Sequence, residues 1–467
     1  MNLDPRRRER WALALIVVLG AGLRLAYLVE IRDAPDFAKP GRDALYHDYW
    51  ARAMLSGDWT PPPGKADPEI RTTPYMRPPG YPFFLAAAYG VSGGSYAGAR
   101  AVQMLLGLVN AVLAWVLGRR LFGAATGLTF AALMATYWIF VYYEGELHAP
   151  VLAVLATLLL LLAFRHWSDS PTRGRALAAG AVLGGFALAR PNVLVVLPFL
   201  LGWAFWVLRR RGERRRLVTA AAMVGLGVAI AVAPVTLRNR LAAGDRVLIT
   251  TNAGINLYLS HNPEADGVTS IIPELGQLTG LAGWTCFEYP ELVRGVGREL
   301  GRSPQAFEHS DASRYFFDRA VDWARRHPVR TLTSAIERAL LFWGPAEVSN
   351  DEVVHFDRAS SPVLRTVPGG FAFVLALAVA GGAGAFLTFR RRDVANGEVA
   401  DRQRFEAWFL VVAFVAGYFA SVLPTLAASR YRVPVIPCLL LFAAWGLVRW
   451  AEFWRRGEAR RALATAF

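Results

Sequence analysis

The stretch ALAAGAVLGGFALARPNVLVVLPFLLGWAFWVL, residues 176–208, contains one charged side chain, Arg190, in a run too long and too apolar for a helix of a soluble core. A membrane span needs roughly 20 apolar residues. The stretch therefore divides into two short halves, 176–190 and 191–208, because a proline directly after Arg190 ends a helix there. Further apolar runs at 11–31, 97–118, 121–141, 147–165, 217–237, 369–389, 405–426 and 433–452 raise the expected number of spans to about ten. The expected fold class is an α-helical polytopic membrane protein. The basic RRRER at 6–10 followed by 11–31 has the look of a secretory signal, but the apolar run is too long and no small-residue cleavage site follows it. An uncleaved span is expected.

The net charge of +15 would suit a nucleic-acid partner if the basic residues formed a surface. They fall instead in short clusters between apolar runs, where they set membrane topology, so no nucleic acid is expected. With the N-terminus placed inside, the dense arginine clusters all land on one side. These are RRRER, the GRR at 118–120, RHWSDSPTRGR, the RRRGERRR at 209–216, RRRDVANGEVADRQR and the tail RRGEARR. Both termini are then cytoplasmic, and two long segments, 32–96 and 239–368, lie outside. Without internal repeats or a low-complexity linker, residues 1–467 are expected to form one integral domain with an outer helical and loop cap. Cys286 lies in a loop and Cys438 in an apolar run, which predicts neither a disulfide nor a cysteine metal cluster.

The first outer segment opens with GRDALYHDYWARAMLSGDW, 41–59, a polar helix at the edge of the first span. Asp43 there is either an N-cap or a general base. Asp48 can pair with Arg52 four residues on, and an ideal helix points Asp43 and Asp48 roughly 140° apart. Asp43 is therefore the stronger candidate and Asp48 the second. FFLAAAYGVSG, 83–93, is too short to span and is expected to lie in the membrane plane. TTNAGINLYLSHNPEADG, 250–267, has a strand-and-turn composition, and helical patterns follow at 312–327 and 329–342.

Glu144 and Glu146 in VYYEGELHAP are either solvated loop charges or site groups, with Glu146 expected to open the next apolar helix. Arg430 and Arg432 in SRYRVPVIP, with Arg77 in MRPPGYP, either snorkel to the interface or meet a lipid phosphate. His47, His148 and His261 match no compact ligand motif, so no metal site is assigned, a divalent ion being left open. No Walker loop, GxGxxG or inner-loop DxD supports nucleotide binding, and no cofactor is predicted.

RPPGYPFFLAAAYG, the YYEG ahead of Glu146, ALARPN, TLRNRLAAGDRVLITTNAGINLYLSHNPEADG, ERALLFWGP and SRYRVPVIP together resemble bacterial membrane glycosyltransferases of family 39. These are relatives of the protein O-mannosyltransferases and of the aminoarabinose transferase that acts on lipid A. The resemblance covers most of the chain. It implies a GT-C bundle and inverting transfer of a sugar from a polyprenyl-phosphate donor to a hydroxyl of a lipid, glycan or protein of the envelope. The work would be done on the outer face of a bacterial inner membrane. It implies that an Asp opening the first outer helix is the catalytic carboxylate, which falls on Asp43, with Asp48 as a second acid. Ala44 stands where relatives often carry Glu. On this reading Arg77, Arg430 and Arg432 stabilise the departing phosphate, while Glu144, Glu146 and His261 position sugar or acceptor. The competing expectation is a sugar-lipid flippase or transporter, which would need broken midplane helices and repeated halves. A structural assembly subunit would tolerate loss of the outer carboxylates.

Overall fold

The computed structural model describes residues 4–270, 272–281, 284–303, 307–350, 353–367, 369–396 and 398–456. Among the described residues every regular element is helical. The first half of the chain forms α1 (Pro5–Ile31), α2 (Arg42–Ser56), α3 (Gly80–Ser92), α4 (Tyr96–Phe122), α5 (Ala124–Thr136), α6 (Trp138–Gly145), α7 (Pro150–Asp169), α8 (Arg173–Ala189), α9 (Val196–Arg210) and α10 (Arg216–Ala243). A cap of shorter helices follows: α11 (Ala253–Leu259), α12 (Pro273–Thr279), α13 (Tyr289–Glu299), α14 (His309–Arg326), α15 (Pro328–Trp343), α16 (Val354–Ser360) and α17 (Pro362–Thr366). The chain closes with α18 (Phe371–Asn396), α19 (Val399–Val422), the single turn α20 (Ser429–Arg432) and α21 (Ile436–Arg455).

Each of the expected spans falls on a helix, and the protein is a multi-pass membrane protein. Among the described residues, eight helical stretches are long and apolar enough to cross a membrane, and the pair α5 and α6, bent by 46°, would make a ninth. The break falls at Tyr137, whose extended backbone (φ −64, ψ 116) interrupts the helical hydrogen-bond ladder. α8 accounts for the difference from ten. At 17 residues it is short, and it ends at Arg190 as the proline demands. It is held by close packing on α10, where a Cβ on Gly180 would lie 2.0 Å from the Val224 carbonyl oxygen.

The arginine clusters assigned to one side by counting do meet. Arg119 pairs with Glu9 at 2.9 Å, Arg210 with Asp393 at 2.5 Å, and Arg211 binds both Glu406 and Ser168. At the other end of the bundle the two long segments interlock. Arg238 of α10 donates to the Thr73 carbonyl at 2.6 Å, Thr251 N to the Tyr75 carbonyl at 3.0 Å, and Arg294 pairs with Glu69 at 2.8 Å. Two local expectations are corrected. Residues 250–267 contain helix α11 instead of a strand, because α11 packs directly on α14, and tertiary contact overrides β-propensity. The approach is so close that a Cβ on Gly254 would sit 1.8 Å from the Ser313 carbonyl oxygen. Glu146 does not open a helix: it lies in the turn after α6, and α7 starts at Pro150, a favoured first helical residue.

Candidate active site

α2 is capped by Gly41 without a side-chain bond, so the N-cap reading of Asp43 does not hold. Asp43 lies in the first turn, and its carboxylate is directed elsewhere. Arg42 just before it adopts φ +48, a left-handed conformation uncommon for a residue with a Cβ, and its Nη1 is fixed on the Asn350 carbonyl at 2.9 Å. That backbone turn aims Asp43 inward, where it is 9% exposed.

Three distant segments converge on this carboxylate. Arg77, from the proline-rich segment before α3, donates from Nη2 to Asp43 Oδ1 at 2.7 Å. Arg430 of α20 places Nη1 3.3 Å from Oδ2. Cys286, ahead of α13, lies 3.5 Å from Oδ1 and accepts from Arg77 Nε at 3.0 Å. Arg430 is anchored in turn by Asn350 Oδ1 at 2.9 Å and stands 3.4 Å from His148 Nε2. Arg190, the lone charge of the stretch that divides α8 from α9, donates to the Arg430 carbonyl at 3.1 Å. The helix break at Arg190–Pro191 thus supports the site. Burial opposes the charge of Arg77, but Asp43 and then Cys286 outweigh it and raise its pKa. Arg77 is the more open of the two guanidiniums, its side chain 24% exposed against 7% for Arg430.

His47, one helical turn beyond Asp43, packs edge-on to Tyr81 and His148, with ring centroids 5.0 and 5.7 Å apart. Burial first, and then His148, push its pKa down to about 3, so the ring is neutral at ordinary pH. Its Nδ1 is buried and without a partner among the described residues.

The remaining sequence candidates lie elsewhere. Asp48 accepts from Arg52 at 2.8 Å, Tyr89 at 2.5 Å and Tyr96 at 2.9 Å, while Arg52 stacks between the two tyrosine rings at 4.4 and 4.5 Å. This arrangement ties α2 to α3 and α4. Glu144 is held by Arg24 of α1 through two bonds of 2.6 and 2.8 Å inside the bundle. Arg432 pairs with Glu347 at 2.6 Å, donates to the carbonyls of Gly344 and Ala346, and lies over the Phe371 ring. His261 bonds to the Leu257 carbonyl and packs on Trp323. Glu146 offers its backbone carbonyl to Gln103 at 2.7 Å. In sequence Cys286, Asn350 and Arg190 carry no pattern that marks them as site residues, and His148 enters only as a metal candidate; the folded contacts bring the four together. Cys286 and Cys438 are both buried. Among the described residues no group of three or more potential ligands could hold a metal ion.

Comparison with known families places part of this architecture. Residues 76–237 match the family described as dolichyl-phosphate-mannose-protein mannosyltransferase. The matched segment is about a third of the chain. It takes in Arg77, His148 and Arg190 and leaves Asp43, Cys286 and Arg430 outside. Two solved structures of the Archaeoglobus fulgidus oligosaccharyltransferase align along almost the whole chain. The one of AglB in complex with an inhibitory peptide and a dolichol-phosphate is 14% identical, covers 99% of this chain and 52% of its own, and has a TM-score of 0.48. The apo form gives 14%, 98%, 54% and 0.48. ArnT from Cupriavidus metallidurans bound to undecaprenyl phosphate is 16% identical, covering 94% of this chain and 78% of its own at a TM-score of 0.35. The chain thus spans about half the length of the oligosaccharyltransferase. No curated protein matches.

Proposed function

We propose that the protein is a membrane glycosyltransferase that moves a sugar from a polyprenyl-phosphate donor to an acceptor hydroxyl, with inversion, on the face that carries the 32–96 and 239–368 segments. That face is non-cytoplasmic, since the arginine clusters gather at the opposite end. One observation carries the reading. A buried carboxylate, Asp43, is bracketed by two guanidiniums drawn from separate segments, Arg77 being the more exposed of them. The family match on 76–237 supports the same class of donor.

In the reaction the acceptor oxygen attacks the anomeric carbon from the side opposite the phosphate. The acceptor proton passes to an Asp43 oxygen, and the C–O bond to the lipid phosphate breaks with its electron pair remaining on the phosphate. A positioned base contributes about 10²- to 10⁴-fold. Arg77 and Arg430 face the charge that develops on the leaving phosphate, and guanidiniums suit that geometry. Neutral His47 packs beside the cluster against Tyr81 and His148 and supports it without meeting substrate. Arg432, Glu144 and Asp48 take no direct part, because their partners hold them outside the Asp43 cluster.

The test uses proteoliposomes with polyprenyl-phosphate sugars and envelope acceptors from the native host. Release of sugar-free lipid phosphate by the wild type and its loss in Asp43→Asn support the reading. Movement of intact lipid-linked sugar across the bilayer, equal in both proteins and without release, replaces it with a transporter.

A further inference from the structure

The cap helix α15 carries its polarity in reverse. Arg338 faces inward and is 3% exposed, held by the Leu423 carbonyl at 2.9 Å and Ser334 Oγ at 2.8 Å. Val329, Leu332, Ile336 and Leu340 are instead 76%, 63%, 51% and 67% exposed. At 3.6 residues per turn these four fall within an arc of about 80°, and Arg338 points about 160° away from its centre. A helix whose outer face met water would bury the apolar stripe and expose the arginine. Single exposed apolar residues are ordinary, but a continuous stripe along roughly three turns marks a contact surface.

Two observations name the bilayer as what covers the stripe. The first is that α15 leans on a membrane span. Phe342 and Trp343 pack on Phe419 of α19 with ring centroids 5.1 and 5.5 Å apart, and the Arg338 bond reaches Leu423, the C-cap of α19. The depth of that contact follows from the far end of α19, where Glu406 pairs with Arg211 in the arginine-rich layer. From Glu406 the helix rises about 20 Å to Phe419 and about 26 Å to Leu423, both short of the roughly 30 Å of a hydrocarbon core. The C-terminal end of α15 therefore meets α19 inside the apolar layer. The second observation is charge: Arg325 and Arg326, exposed in the last turn of α14, stand at the N-terminal end of the stripe and complement anionic headgroups. At 16 residues, with Arg330, Glu337 and Arg338 in it, α15 is not among the stretches that could cross a membrane, which leaves the interface plane.

We propose that α15 lies in the plane of the bilayer at the cap end of the bundle, with Val329, Leu332, Ile336 and Leu340 among lipid acyl chains and Arg325 and Arg326 at anionic headgroups. The contact anchors the 239–368 segment to the membrane surface and fixes its height over the spans. The inference does not rest on the transferase reading, since no substrate enters it.

The experiment is electron paramagnetic resonance of the full-length protein in vesicles of phosphatidylethanolamine and phosphatidylglycerol. A nitroxide is placed in turn at Leu332→Cys, Ile336→Cys and Leu340→Cys and, for comparison, at Asp318→Cys on the exposed face of α14. Cys286 and Cys438 are buried, and labelling of the wild type measures their background. The thermal midpoint of each labelled protein shows that it is folded. Collisions with oxygen, which concentrates among acyl chains, are compared with collisions with a water-soluble nickel chelate. The expected oxygen-to-chelate ratio at the three α15 positions is at least about tenfold that at Asp318. A ratio equal to that at Asp318 puts the stripe in water and overturns the inference. Low collision rates with both reagents also overturn it, and dipolar broadening between labels would then name a second copy of the chain as the cover.

Discussion

Replacing Glu144 by glutamine separates a structural role for this residue from one on the substrate. In the native bundle its carboxylate receives Nε and Nη2 of Arg24 at 2.6 and 2.8 Å, with side-chain exposures of 4% and 2%. The substitution keeps shape but removes the counter-charge, leaving Arg24 with the Gly20 and Ala135 carbonyls, at 3.1 and 2.7 Å, and a neutral amide. Breaking a buried pair in this way costs about 3–5 kcal/mol, a large share of the roughly 5–15 kcal/mol that holds a typical protein folded. The double variant Arg24→Met/Glu144→Met removes both charges and should recover most of that loss, because apolar replacement of a whole buried pair is often neutral. Denaturant unfolding of the detergent-solubilised protein, followed by tryptophan fluorescence, measures both. A Glu144→Gln protein of native stability that has lost transfer activity would refute the reasoning and return Glu144 to the site.

The other expectations concern the cap and its charges. His47 and His309 are buried with pKa values pushed down to about 3 and about 4, chiefly by desolvation. Below pH 6.5 the unfolded chain binds protons that the native one refuses, so stability should fall as pH drops from 6.5 through those values. Unfolding midpoints of His47→Phe/His309→Phe should show a shallower decline, and a slope identical to wild type would contradict the assignment. Gly254→Ala forces a methyl onto the Ser313 carbonyl at the α11–α14 contact and should destabilise the protein by about 1–3 kcal/mol, read from the same unfolding curves. Arg430→Lys keeps a charge but loses the fork that spans Asp43 and Asn350. Transfer rates measured at saturating donor should drop by about tenfold to a hundredfold, with the protein still folded.

Much of the bundle is legible in the sequence because lipid demands long apolar helices, and because arginine clusters mark one set of ends. Proline after Arg190 ends α8 where reading the chain places the end. The bend at Tyr137 is not legible, since neither proline nor glycine stands there. The mistaken strand at 250–267 arises because local composition gives no hint of the α14 surface that α11 meets. In the site, Asp43 and Arg77 are legible as unusual charges beside a first span, and Arg430 as an arginine in the SRYR turn. Arg430 and Arg432 differ by two residues, yet one reaches Asp43 and the other Glu347, a division set by tertiary contacts. The pairing of Asp48 with Arg52 follows from helical spacing, whereas its bonds to Tyr89 and Tyr96 need the folded contact with α3 and α4. Cys286 meets Asp43 from 243 residues away and Asn350 meets Arg430 from 80, and no local pattern marks either.

The central claim is that Asp43, and not Asp48, takes the acceptor proton. Single-turnover transfer by Asp43→Asn and Asp48→Asn proteins, each verified as folded, tests it directly. The account predicts a loss of about 10²- to 10⁴-fold for Asp43→Asn. For Asp48→Asn it predicts near-native transfer per folded molecule, with a stability loss of about 1–3 kcal/mol from the disrupted Tyr89, Tyr96 and Arg52 bonds. Near-native transfer by Asp43→Asn, with Asp48→Asn inactive, would contradict it.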